Sequence, residues 1–406
     1  MRTVVFYSPY FGENTLRYVY ALRKFPNIEI IGLGQDSYEN VEKAGCFDHF
    51  VKVENAFNQV ELEQALHQIL QNRKIYRIFN IQESLQLLIA RLREKYNIEG
   101  VRFTTALKFR DKALMKQIFK KNAILCANYQ KAESNEEAFD FAERNEFPII
   151  LKPLKGVSSK STFLVVSKKD LEKTLEEFKI SESEPAILEE FIDGEEGSFD
   201  TLTLNGEIKF QSITHYVPPL LHVIRNPWMQ LICAFDKNLN DPKYNDIRKT
   251  GKKVIKALGL QTEMTHMEWF RRKSDGKIYV GEIAARAPGG PTIDLHNFGH
   301  NIDLYYEWAN VMLEGNYTLG TPEPKFSVAG ACLRSQGIGT HITEITGVDL
   351  IKEKMGHLMC GLELPEIGAK RVIGYGGEGL LYVRGEDYQE MLKAATFACE
   401  NIRFNS

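Results

Sequence analysis

The sequence predicts an α/β protein with an α+β centre, and three observations predict it. Over the first hundred residues short apolar runs alternate with helical patterns, which marks βαβ units and a parallel sheet. From about residue 197 to 324 the pattern becomes alternating strands broken by hairpin signals at Gly206 and Asp275-Gly276, which marks an antiparallel sheet. The chain has 406 residues, 43% apolar and 26% charged. That length fits two or three domains, with a core large enough to need no disulfide or metal staple.

Val4-Val5-Phe6 opens the first block as a strand, and residues 8–12 turn the chain. A helix follows over 13–25, with Leu16, Val19, Tyr20 and Leu22 near one face. Strands over 28–33, 50–53 and 75–81 alternate with a helix over 60–71, and the run QESLQLLIARLREKYN is a long helix. The Gly32-Leu33-Gly34 turn is not a GxGxxG fingerprint, so no tightly bound dinucleotide is expected there. A second block starts at Arg110. It reads as helix 112–121, a strand, helix 135–145, strand 148–153, strand 163–166, helix 169–178 and strand 186–191. The third block holds SFDTLTLNG, EIKFQSITHYV, HMEWFRR and KIYVGEIAAR, with helices over 242–258 and 301–314. A small α/β element from Lys325 onward contains the run Gly374 to Gly379, GYGGEG. The expected division is 1–109, 110–190, 191–324 and 325–406.

Several function classes are disfavoured. The 51 basic and 54 acidic residues give a net charge of −3, so nothing draws the chain to nucleic acid in general. Cys46, Cys126, Cys233, Cys332, Cys360 and Cys399 form no CxxC pair, and no His/Cys cluster has zinc spacing. Free thiols in a reducing compartment are expected. No run of about 18 apolar residues exists to span a membrane, and the N-terminus lacks the apolar region of a signal peptide. The expectation is a soluble cytoplasmic protein without a membrane or nucleic-acid partner.

Three constellations carry chemistry. In residues 149–162 a strand ends in Lys152 and runs into KGVSSKST. Small residues let backbone N–H groups approach phosphate oxygens, and a strand-end lysine neutralises their charge. The same run also reads as a basic surface loop, and it is not a GxxxxGK[ST] loop. In residues 187–196 an apolar strand runs into an acidic turn, suited to an adenine edge with a carboxylate further on for ribose, or simply to solvent. The third constellation is the most informative. HMEWF and GEIAAR read as two strands of one hairpin, with Glu268 and Glu282 fourteen positions apart and able to lie side by side. Two carboxylates facing the same way repel unless a cation lies between them, and hard oxygen ligands favour Mg²⁺. Glu282 sits among Ile278, Val280, Ile283, Ala284 and Ala285, where an idle carboxylate would be costly. Arg286, two pleats on, is expected on the same face, positioned to stabilise a transferring phosphoryl group. His215 and His222 lie in a Pro-rich loop with Arg225, Asn226 and Trp228, and each is more often structural than not.

Taken in order, these segments resemble the ATP-grasp superfamily, especially the carboxylate–amine ligases that include the L-amino acid ligases. D-alanine–D-alanine ligase and biotin carboxylase are more distant in pattern. The resemblance covers nearly the whole chain and implies an ATP-grasp fold behind an N-terminal Rossmann-like pre-ATP-grasp domain. FRDKALMKQIFKKNAI resembles the entry to the core, FPIILKPLKGVSS the phosphate loop, ILEEFIDGEE the adenine hinge, and HMEWF with GEIAARAPGG the metal strands. It implies that Lys112 and Lys152 contact ATP phosphates, with Lys155, Gly156, Ser158 and Ser159 in the phosphate loop. Glu189, Glu190, Phe191 and Ile192 match the hinge, Glu196 the ribose carboxylate, Glu268 and Glu282 the Mg²⁺ ligands, and Arg286 the arginine of E-I-N-x-R. Lys152 and Arg286 are the expected catalytic pair. Substrate contacts are expected among His215, His222, Arg225, His266, Gly289 and Gly290, with Tyr216, Trp228 and His296 nearby, suiting an acid with a polar or aromatic side chain.

Two departures stand out. Ala284 replaces the Asn two residues after the second metal glutamate, which removes one ligand and loosens the hold on a second Mg²⁺. Ser161 stands where a second glycine is common, which puts the closure geometry of the loop in doubt. The implied cofactors are ATP and one or two Mg²⁺ ions, with Mn²⁺ an allowed substitute. The implied chemistry is amide or peptide bond formation between a small carboxylate and a small amine through an acyl phosphate, with the KGVSSKST loop as the lid. Dimerisation is a family implication. Two alternatives stay open: activation of bicarbonate as carboxyphosphate, and a nucleotide-binding pseudoenzyme, which Ala284 favours.

Overall fold

The computed structural model describes residues 1–154, 162–372 and 374–406. The N-terminal strands form a four-stranded parallel sheet in the order His49–Lys52, Ile28–Gly34, Arg2–Tyr7, Ile75–Phe79. Helices lie on both of its faces, as parallel sheets require. The helix Glu13–Arg23 buries Tyr18 edge-on against Tyr305 and Trp308 of the helix Leu304–Glu314, with ring centroids 5.0 Å apart in each pair. That contact fixes the first hundred residues against the rest of the chain.

The second sheet is antiparallel, in the order Tyr129–Ala132, Ala186–Glu190, Ile149–Pro153, Phe163–Val165. The helix Lys112–Lys121 leads towards it. Asp111 caps that helix by accepting from the Leu114 N–H at 2.9 Å. Its buried face is Lys112, Met115, Lys116 and Phe119, an i, i+3, i+4, i+7 stripe in which two lysines stand where apolar residues are usual.

The third sheet has eight strands: Ile278–Ala284, Glu263–Arg272, Gly194–Leu204, Glu207–Val217, Leu231–Phe235, Ser327–Leu333, Gly379–Gly385 and Met359–Glu363. The hairpin turns expected at Gly206 and Gly276 are present, with φ of +80° and +69°. The chain beyond residue 325 returns into this same sheet and supplies its last three strands. The helix Asn245–Leu258 packs Gly251 so closely on Phe199 that an added Cβ would stand 2.3 Å from the ring.

Local reading missed the helices Tyr38–Ala44 and Phe103–Arg110, and it failed in two places nearer the cleft. The Pro-rich loop read over 215–228 is a strand running to Val217 followed by the helix Leu220–Arg225. The helix expected over 301–314 starts at Leu304, where Asp303 caps it, and a separate helix Thr292–His300 precedes it. Among the described residues no helix is long and apolar enough to cross a membrane.

Candidate active site

The strand Ala186–Glu190 ends in the small sheet and Gly194–Leu204 begins in the large one, so residues 191–193 carry the chain from one to the other. A cleft of about 250 Å³ opens at this junction. It gathers side chains that are remote in sequence.

The metal strands behave as the hairpin reading requires, with one local change. Met267 pairs with Ile283 but Trp269 pairs with Val280, so a β-bulge sets Glu268 against Gly281-Glu282. Bulges re-aim side chains beside active sites. Glu268 and Glu282 both line the cleft. Burial, and then the facing Glu282 and Glu196 carboxylates, push the Glu268 carboxyl above its usual range. Burial works against the Glu282 charge too, but Lys112 and Lys152 overcome it and hold its carboxyl low. The Lys112 ammonium stands 3.1 Å from Glu282 Oε2. One carboxylate of the pair is thus compensated and the other is not, which is where a divalent cation would relieve the repulsion. Among the described residues no group of three or more His, Cys, Asp or Glu is placed to hold a metal. Ala284 is buried and supplies no oxygen.

Lys152 reaches Glu189 Oε1 at 2.9 Å, and Lys116 reaches Glu189 Oε2 at 3.2 Å. Burial opposes the charge on Glu189, but the two ammonium groups win and its carboxyl lies below the usual range. The Glu189 side chain is therefore a buried anchor for the lysines. Lys116 escaped the sequence reading, although its place in the buried stripe with Lys112 was the available signal. Glu190 is turned to the Asn128 N–H at 2.9 Å and to Arg272 at 3.2 Å, with Phe191 and Ile192 lining the cleft after it. Glu196 lines the cleft and accepts from the Leu220 N–H at 2.6 Å, and burial raises its carboxyl to about 7.

Arg286 lies in the cleft but beyond the strand, which ends at Ala284, so the pleat does not aim it. Its guanidinium is held instead by Glu83 of the first block, with Nε and Nη2 each 3.2 Å from Oε2. The other Glu83 oxygen takes Arg110. Glu83 went unread because nothing near it in sequence marks it.

His266 lines the cleft between Asp200 Oδ1, 2.6 Å from Nδ1, and the Tyr216 hydroxyl, 3.3 Å from Nε2. Gly289, Gly290 and His222 also line it. His215 and Arg225 do not. Strand alternation turns His215 to the opposite face from Tyr216, where it packs on Trp269 and bonds the Tyr244 hydroxyl at 3.2 Å, and burial lowers its pKa to about 4. Arg225 is exposed at the end of its helix, Trp228 is exposed, and His296 is buried against Asp200. Lys155, Gly156, Ser158 and Ser159, with the loop expected to close as a lid, lie outside the described residues.

The arrangement is a cationic floor beside a carboxylate pair, bounded by a hinge between two sheets. Residues 145–294 match the ATP-grasp domain family. Over that stretch the chain is similar to an ATP-grasp domain. Among individual proteins it is similar to the L-arginine-specific L-amino acid ligase of Bacillus subtilis, 31% identical over 270 residues, 65% of this chain and 64% of that protein. The match thus spans just under two thirds of that relative's length. The solved L-amino acid ligase of Bacillus licheniformis superposes with a TM-score of 0.80 at 17% identity, covering 100% of this chain and 98% of that one. The N5-carboxyaminoimidazole ribonucleotide synthetase of Thermotoga maritima superposes with a TM-score of 0.71 at 20% identity over the whole of both chains.

Proposed function

We propose that this protein is an ATP-dependent ligase joining a small carboxylate to a small amine, an amino acid pair being the favoured case. The observation that carries the proposal is the convergence of Lys112, Lys152, Glu268, Glu282 and Arg286 on one cleft. The similarity to a protein named as an L-amino acid ligase supports the same reading.

A carboxylate is a poor acyl donor because its leaving group would be oxide. Transfer of the ATP γ-phosphoryl to it gives an acyl phosphate, and amine attack then expels phosphate. The chain's own groups suit these steps. Residues 190–192 offer backbone to the adenine edge, and Glu196 suits the ribose hydroxyls. Lys112 and Lys152 neutralise phosphate oxygens, and Glu189 keeps Lys152 charged and directed. Arg286, held by Glu83, faces the reacting carboxyl and stabilises the charge that develops there. Glu268 and Glu282 would hold Mg²⁺, which supplies charge neutralisation between phosphates. Two carboxylates without the usual Asn fit one firmly held ion better than two.

ADP release with Mg²⁺-ATP tests the proposal, across amino acids singly and in pairs, with bicarbonate added or omitted. ADP that needs an acid and an amine together supports it. ADP that needs bicarbonate supports the carboxyphosphate reading, and ATP binding without turnover supports the pseudoenzyme reading.

A further inference from the structure

We infer that the acid substrate carries an uncharged, apolar side chain, seated on a floor of Leu231, Cys233 and Cys332. The inference rests on the ligase reading and deepens it by naming the class of acid. Its basis is the strand order of the large sheet. Crossing the sheet from the metal strands, the register pairs Glu196 with Tyr216, Tyr216 with Cys233, and Leu231 with Cys332. Opposed residues of antiparallel strands share a face, so the cleft floor changes from carboxylates to apolar groups at Tyr216. All of these residues line the one cleft, with Leu220 and Tyr375 as walls.

The apolar half is built rather than incidental. Cys233 and Cys332 belong to one buried apolar cluster, and the neighbouring Cys332 thiol together with burial pushes the Cys233 thiol well above its usual range. Tyr375 comes from the glycine run at 374–379, which is not a phosphate cradle. Gly377 has φ of +68° and approaches the Leu333 carbonyl so closely that a Cβ would stand 2.2 Å from its oxygen. Glu378 then ties the loop down, accepting from the Ser335 N–H at 2.8 Å, the Ser335 hydroxyl at 2.9 Å and the Val372 N–H at 2.9 Å. The loop is fastened to the strand Ser327–Leu333 and its neighbour, leaving Tyr375 over the cysteines.

A charged side chain entering this half would lose its hydration, and Leu220, Leu231, Cys233, Cys332 and Tyr375 offer it no charge in return. The carboxylates of Glu196, Glu268 and Glu282 stand on the metal-strand side of Tyr216. Each methylene fitted to an apolar pocket is worth about 10- to 200-fold in selectivity.

The test uses hydroxylamine as a surrogate amine, trapping any acyl phosphate as a hydroxamate, with the full-length protein and Mg²⁺-ATP. Leucine, methionine and phenylalanine are expected to exceed aspartate, lysine and arginine by roughly 100-fold or more in kcat/KM. Cys233→Leu should shrink the floor and move preference towards alanine by about tenfold, with the KM for ATP unchanged. Tyr375→Ala, a wall variant in case the floor variant does not fold, should widen acceptance to bulkier apolar acids. Preference for a charged acid, or an equal loss for small and large acids in Cys233→Leu, overturns this inference and leaves the ligase reading standing. Absence of hydroxamate from every acid overturns both.

Discussion

Replacing Glu189 by Gln separates an anchoring role from a hinge role, and its size follows from the structure. The carboxylate lies 2.9 Å from the Lys152 ammonium and 3.2 Å from that of Lys116, and the side chains of Lys116 and Glu189 are only 1% and 7% exposed. At about 3 Å and an effective dielectric of about 20, each pair is worth roughly 5 kcal/mol before desolvation. An amide in place of the carboxylate leaves two buried cations facing one another. Breaking such a pair from one side costs about 3–5 kcal/mol. Part is recovered as Lys152 turns to Glu282, so a loss near 3 kcal/mol is expected. With a urea slope of about 3 kcal/mol/M or more for a chain of this size, unfolding at pH 7 should show it as a fall in midpoint of up to about 1 M. The pH dependence has a definite sign. The folded carboxyl lies below the usual 4.5, so the stability it contributes is present above 4.5 and is lost as pH falls through its folded value. The gap between wild type and variant should therefore close in acid. A loss at pH 7 below about 1 kcal/mol, the range of an exposed pair, would refute the buried-anchor reasoning.

Four further outcomes are expected. Glu282→Gln should cut Mg²⁺-dependent ADP release by about 100-fold or more while leaving the circular dichroism spectrum unchanged; near-normal turnover would remove Glu282 from the metal site. Lys152→Ala should raise the KM for ATP by roughly tenfold or more, and an unchanged value would count against its phosphate contact. Glu83→Gln should lower kcat about tenfold with little change in the KM for ATP, because it loosens Arg286 and not the nucleotide; an effect confined to that KM would contradict the assignment. Without Mg²⁺, the raised Glu268 carboxyl favours the folded state below its unfolded pKa, and that contribution is lost as pH climbs through the folded value. Thermal melts from pH 5 to 9 should show this decline in the wild type and a flatter profile in Glu268→Gln.

The elements that were legible are those whose evidence is local. The helix Lys112–Lys121 is legible because Asp111 can cap it and its buried stripe repeats at 3.6 residues. The hairpin bearing Glu268 and Glu282 was legible because alternation and Asp275-Gly276 declare it. The loop read over 215–228 was not, since its prolines masked a short helix that packs Leu220 and Val223 inward. Arg286 was placed in the cleft for the wrong reason, as the pleat meant to aim it stops at Ala284.

The sequence by itself determined the parallel and antiparallel blocks, the paired glutamates and the strand-end lysine, because periods of 2.0 and 3.6 and turn chemistry act over a few residues. Only the tertiary structure decided which charge compensates which. Glu83 meets Arg286 across 203 positions, and the Lys116 ammonium reaches the Gly281 carbonyl across 165. It also decided that Glu268 and Glu282 differ, since identical side chains acquire different proton affinities only from the lysines and carboxylates that folding brings beside them.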